Sequence, residues 1–181
     1  ETVTDTQLRD PTHPVWDVYD LYRTARLNVK YYCGRVHWLS RVNLVMEFMI
    51  AAFASSSAVA GFALWNSETG KAAWQMLAAV AATLAILKPL MRLTDKIKLL
   101  EEIIAGYRVL EHDLRKIEIS IKQRRVYDEE LRARFAAALD RMDELAAKSD
   151  ENHVDRKLKR RCQEEVAREL PASSFYVPSG V

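Results

Sequence analysis

Two apolar runs decide what this chain can fold into. Leu44 to Trp65 (LVMEFMIAAFASSSAVAGFALW) and Ala72 to Met91 (AAWQMLAAVAATLAILKPLM) are nearly uninterrupted, and only the polar stretch Asn66 to Lys71 separates them. As a helix the first would reach about 33 Å, enough for a hydrocarbon core of about 30 Å. The second is uninterrupted only to Leu87, so Lys88 must snorkel to the headgroups while Leu90 and Met91 sit at the boundary. The pattern predicts a transmembrane helical hairpin. A mean hydropathy of -0.19 and 29% charged residues hide it, because they average an apolar centre with charged flanks.

Charge placement predicts the orientation. Arg23, Arg26, Lys30, Arg35 and Arg41 precede the first run, and Lys88, Arg92, Lys96 and Lys98 close or follow the second, whereas the loop has only Lys71 against Glu68. The positive-inside rule puts both termini in the cytoplasm and the loop outside. Trp65 and Trp74 flank the loop as outer interface anchors, and Trp38 is the inner one. The chain opens on the polar Glu1 to Asp10, so no cleavable leader is expected and the first span itself serves as anchor. A net charge of +2 does not by itself call for a polyanionic partner.

Outside the apolar runs the expectation is helix. Pro14 suits a first helical turn, capped by Thr12 or His13. Val18, Tyr22, Ala25, Val29, Tyr32, Val36 and Leu39 then recur at three- and four-residue steps, an amphipathic helix leading into the first span. After the second span, Leu93, Ile97, Leu100, Ile104 and Tyr107 form one seam, and Leu131, Phe135, Ala138, Met142 and Leu145 another, with a charged stretch at 122–130 between them. Periodicity leaves open whether 93–149 is one long helix or two helices folded back. A break at Ser149 to Asn152, a final helix from about His153 to Leu170 and a stop at Pro171 complete the reading. The chain thus reads as an all-α membrane protein: a flexible N-terminus (1–13), a cytosolic or interfacial helix (14–41), the hairpin (42–91), a cytosolic helical, coiled-coil-like region (92–170) and a flexible tail (171–181).

Motifs for chemistry are scarce. Five glycines build no local phosphate-cradling loop. Ser55, Ser56 and Ser57 lack the context of a nucleophile elbow and suit helix packing better. Cys33 and His37 stand four apart on one helical face, but no second ligand pair exists, so no metal site is expected. Cys33 and Cys162 are expected to be reduced thiols on the cytosolic side. No catalytic residue and no cofactor is predicted, and the chain is not expected to be an enzyme.

Inside the expected bilayer Glu47 and Lys88 each lie about one turn from the cytosolic end of their spans. An antiparallel hairpin brings them to one depth, where they form an ion pair that either fixes register or lines a pore. The face of Glu47 continues through Ala51, Ala54, Ala58 and Gly61, with Ser57 and Gly61 a small-x-x-x-small pair. Two helices cannot bury so much packing surface, which predicts a homo-oligomer. Pro89 frees the Ala85 carbonyl and marks a hinge near the cytosolic exit. In the final helix Arg156, Lys157, Lys159, Arg160 and Arg161 are candidates for contact with an anionic ligand or lipid. Asp150, Glu151, Asp155, Glu164 and Glu165 surround them, so a salt-bridged solvated face is the plainer reading. Without interleaved aromatic residues no direct nucleic-acid binding is expected.

The order of these parts resembles the SLATT domain, the SMODS- and SLOG-associating two-transmembrane effectors. The residues that carry the resemblance are the basic, aromatic Tyr22 to Tyr32, the two spans with a short outer loop, Arg92-Leu-Thr-Asp-Lys96, Glu111-His-Asp-Leu-Arg115 and Cys162-Gln-Glu-Glu-Val-Ala-Arg-Glu-Leu170. The likeness covers about residues 15 to 170. It implies a pore-forming effector of a bacterial inner membrane that acts in antiviral defence, with a cytosolic defence enzyme or nucleotide-type signal as partner. The competing expectations are a membrane-anchored helical scaffold that recruits a cytosolic enzyme, and a small-ion transporter subunit, which would carry more intramembrane polar residues than Glu47, Gln75, Thr83, Lys88 and the serines.

Overall fold

A computed structural model describes residues 13–56, 68–149 and 154–178. These residues are 89% helix and include no strand. Helix α1 is Val15–Ser56, α2 Glu68–Met91, α3 Leu93–Arg124, α4 Glu129–Lys148 and α5 Arg156–Glu169, followed by a 3-10 turn at Ala172–Ser174. The chain divides into two compact units, one made of Glu1–Gly34 with Glu101–Val181, the other of Arg35–Leu100.

In the first unit the early half of α1 packs antiparallel to α3. Val15, Val18, Tyr19, Tyr22, Ala25 and Val29 are buried on one side, and Ile103, Ile104, Tyr107, Leu110, Leu114, Ile117 and Ile121 on the other. Both sets recur at helical spacing, so each helix presents one apolar stripe. Tyr32 stacks on Tyr107 with ring centroids 5.8 Å apart.

The seam at 93–149 turns out to be two helices folded back on each other. Arg125 takes a left-handed conformation (φ 57), its amide donates to the Ile121 carbonyl at 2.8 Å, and Asp128 caps α4 by accepting from the Leu131 amide at 2.9 Å. A non-glycine residue there costs about 1–2 kcal/mol. Burying Leu131, Ala138 and Leu145 of α4 outweighs it, since one buried leucine contributes roughly 1.5–3 kcal/mol. Leu145 comes so close to Gly106 that no β-carbon would fit there without moving it.

Helix α5 lies antiparallel to α1, with Leu158 over Gly34 and Cys162 and Val166 buried. Its cap is Asp155, which accepts from the amides of Lys157 and Leu158 at 3.0 Å. The expected break holds, with α4 ending at Lys148 and Ser149 as its cap, while 150–153 lie outside the described residues. Residues 171–178, expected as part of a flexible tail, instead close this unit. Phe175 is buried and stacks on Tyr19 at 4.2 Å, and the Tyr19 hydroxyl donates to the Tyr176 carbonyl. Pro178 is buried as well, so the stacked ring, the hydrogen bond and the proline together dock the segment. At the start of α1 it is His13 that caps, its Nδ1 accepting from the Val15 amide at 3.2 Å.

The second unit holds the later part of α1, all of α2 and the start of α3. A small core of Leu39, Met46 and Leu93 is flanked by Val42, Leu84, Ile97 and Leu100. Its α2 begins at Glu68, so residues 68–71 of the expected loop are helical. Helix α2 passes through Pro89 to Met91, and the backbone turns at Arg92 (φ 46), three residues beyond the expected hinge. The proline leaves the last turn one donor short, and that weakened turn is where the helix ends.

Much of this unit's apolar surface is open. Leu44, Val45, Phe48, Met76, Val80, Ile86, Leu87, Leu90 and Met91 are exposed, Phe48 by 70% and Leu90 by 71%. One helical stretch, Thr69–Arg124, is long and apolar enough to cross a membrane, and only 6% of its most apolar window is buried. The first expected span is described as helix only to Ser56.

Candidate functional site

Glu47 on α1 and Lys88 on α2 meet in the second unit. The Lys88 ammonium lies 3.0 Å from Glu47 Oε1, and Asn43, one turn before Glu47, donates to the same oxygen from Nδ2 at 3.1 Å. Sequence reading found the pair and missed Asn43, although its position four residues before Glu47 on one helical face is the signal. Both charged side chains keep solvent-accessible surface, so the pair is not sealed in a core.

Beside it a cleft of about 370 Å³ runs between Asn43 of α1 and the α2–α3 junction, lined by Lys88, Pro89, Arg92, Leu93, Thr94 and Asp95. Arg92 Nε donates to Asp95 Oδ2 at 2.9 Å. Asn43 Oδ1 is buried and accepts from no donor among the described residues.

The remaining expected residues of this region scatter. Trp38 is 60% exposed and Trp74 is half-buried. Trp65 and the packing residues Ser57, Ala58 and Gly61 lie outside the described residues, and Ala54 is described only as helical backbone. Ala51 is exposed. Thr83 bonds back to the Ala79 carbonyl at 2.8 Å, which satisfies its hydroxyl within its own helix.

In the first unit an ion network ties three helices together. Arg26 of α1 pairs with Glu111 of α3 at 3.0 Å and with Glu169 of α5 at 3.2 Å, and Lys30 reaches Glu165 at 3.1 Å and Glu169 at 2.7 Å. The Lys30 hydrogen bonds hold the Glu165 and Glu169 carboxyls below their ordinary range. Burial acts the other way on Glu118, whose carboxyl is raised, and pushes the Tyr107 hydroxyl up to about 12. None of these pairings is visible in the sequence, because each joins residues 85 or more positions apart.

The basic run of α5 forms an exposed face. Arg156, Lys157, Arg160 and Arg161 line a shallow hollow of about 480 Å³ with Glu164. Arg160 pairs with Glu164 at 3.5 Å and Arg161 with Glu165 at 3.2 Å, the i,i+4 bridging expected of a solvated face. Lys159 is directed elsewhere, lining a separate hollow with Tyr31 and Tyr32.

Cys33 Sγ sits 3.9 Å from an Arg108 nitrogen, and His37 is exposed. Burial raises the Cys162 thiol, which favours the protonated form. Among the described residues no group of three or more His, Cys, Asp or Glu side chains could hold a metal ion. Comparison with known protein families, with curated proteins and with solved structures gives no match.

Proposed function

We propose that this chain is a homo-oligomeric effector of a bacterial inner membrane, crossing it as a hairpin through 44–65 and 72–91 with both ends in the cytosol, and that it breaches the membrane when a cytosolic signal reaches its helical unit. The observation that carries the reading is the open apolar surface of the second unit, where one helical stretch is long and apolar enough to cross a membrane and only 6% of its apolar window is buried. In water such a surface is unstable, and lipid or further copies of the chain are what cover it. The resemblance to SLATT domains supplies the role in antiviral defence and the nucleotide-type signal or defence enzyme as partner.

In this reading Glu47 and Lys88 set the charge at the cytosolic mouth. Planar-bilayer recordings under a salt gradient test it. Activated wild-type protein should carry current, Glu47→Gln should shift the reversal potential toward anion preference, and Lys88→Gln should shift it toward cations. If both variants assemble and keep the wild-type reversal potential, the pair does not line the path. Absence of any current from activated protein would favour the scaffold reading, for which the cationic face of α5 is the natural recruiting surface.

A further inference from the structure

The outward face of α5 carries more positive charge than its own acidic residues offset. Arg156, Lys157, Arg160 and Arg161 line one hollow with Glu164, four cations to one carboxylate. Two other acidic residues of the run are committed elsewhere. Asp155 gives Oδ1 to the amides of Lys157 and Leu158, and Glu165 divides its oxygens between Lys30 and Arg161. Arg156 and Lys157 have no ion-pair partner among the described residues, and the pairs of Arg160 and Arg161 are made by side chains 83% and 77% exposed, where such pairs contribute little. The helix gains nothing from this placement. Its first turn holds Arg156, Lys157 and Lys159 and no acidic residue, so these cations stand at the positive end of its dipole.

The position of the face says what it meets. Leu158 packs over Gly34 and the Asp155 amide donates to the Tyr31 hydroxyl at 3.1 Å, so the antiparallel α5 holds its basic end beside residues 31–34 of α1. Leu44, where the first expected span opens, follows Gly34 by ten residues in the same helix, about 15 Å of rise. The headgroup layer takes about 6 Å of that, and the remainder is about one Debye length at physiological salt. A cluster of Lys and Arg at this distance from a span is attracted to anionic lipid. We infer that the basic face of α5 lies on the anionic phospholipids of the cytosolic leaflet, with Arg156 and Lys157 on their phosphodiesters and Arg160 and Arg161 adding to the attraction. The inference rests on the membrane reading above.

The probe is an environment-sensitive dye on Val154→Cys, a position 48% exposed and two residues before Arg156, in the full chain with Cys33 and Cys162 replaced by alanine. The chain is reconstituted in vesicles of phosphatidylcholine alone or with about one-third phosphatidylglycerol, and quenching by a nitroxide on the lipid headgroups gives the ratio of docked to free α5. Docking should appear in the anionic vesicles and vanish at about 1 M salt, where the screening length falls to about 3 Å. Arg156→Gln with Lys157→Gln should lower the docked-to-free ratio roughly 25-fold, about fivefold for each cation. Lys116→Gln with Lys122→Gln removes the same charge from α3 and should change nothing.

Equal losses in the α3 and α5 pairs would mean general attraction and overturn the inference. Equal quenching in neutral and anionic vesicles would overturn it too, and absence of quenching from both would leave the face to an acidic protein partner. Release by millimolar glycerol phosphate would show a site for a soluble phosphate and overturn the lipid assignment. Alkaline carbonate extraction separates the two levels. A wild-type chain that washes off vesicles fails the membrane reading and this inference together, whereas one that stays embedded with α5 undocked fails the inference alone.

Discussion

Gly106 shows how tightly single residues are held in the first unit. It lies where Leu145 of α4 closes on α3, and a larger side chain there must displace Leu145 or separate the helices. Gly106→Leu is expected to destabilise by about 2 kcal/mol, read from thermal unfolding followed by circular dichroism, with Leu145→Ala in the same chain recovering part of the loss. The titratable residues make opposed predictions. Glu165 and Glu169 are held low by Lys30, so the stability they contribute is complete above an unfolded-state value of about 4.3 and fades as pH falls through their lower folded values. Lys30→Met should therefore lower the melting temperature at pH 7 and converge on wild type in strong acid. Glu118, raised by burial, destabilises when ionised and gains stability as pH falls from its folded value toward the unfolded one. Glu118→Gln should melt higher than wild type at pH 7 and lose that advantage near pH 4. A constant difference across pH would show that Glu118 acts by shape and not by charge.

At the scale of elements the sequence was legible where local signals are strong. The three- and four-residue apolar steps of 18–39 and 93–107 became the buried stripes of α1 and α3, and Asp155 and Pro171 bound the final helix within a few residues of its expected ends. What the sequence left open was decided by contacts between distant residues. Residues 122–130 carry neither glycine nor proline to announce a turn, and the fold-back at Arg125 is selected by the match of Leu131, Ala138 and Leu145 to α3. The closing segment is the same case, since nothing around Phe175 reveals that Tyr19 awaits it. Phe175→Ala should release residues 171–178, seen as faster cleavage after Tyr176 by a low dose of chymotrypsin, while the helical circular dichroism changes little. An unchanged cleavage rate would mean that the Tyr19 hydroxyl bond to the Tyr176 carbonyl suffices to hold the segment.

For the whole molecule, the apolar runs announced apolar helices, and Phe48, Met76, Ile86 and Leu90 are exposed on them. The Glu47–Lys88 pair was legible because two charges in two apolar helices leave few alternatives, whereas the adjoining cleft needed the left-handed turn at Arg92, which no residue type there announces. The central claim is the hairpin with both ends on one side, and site-specific labelling tests it most directly. With Cys33 and Cys162 replaced by alanine, a single cysteine at Ser67 or at Ser149 is exposed to a membrane-impermeant maleimide in intact spheroplasts. The account predicts that Ser67→Cys reacts at once and that Ser149→Cys reacts only after the membrane is permeabilised. Labelling of Ser149→Cys in intact spheroplasts, with Ser67→Cys protected, would contradict it.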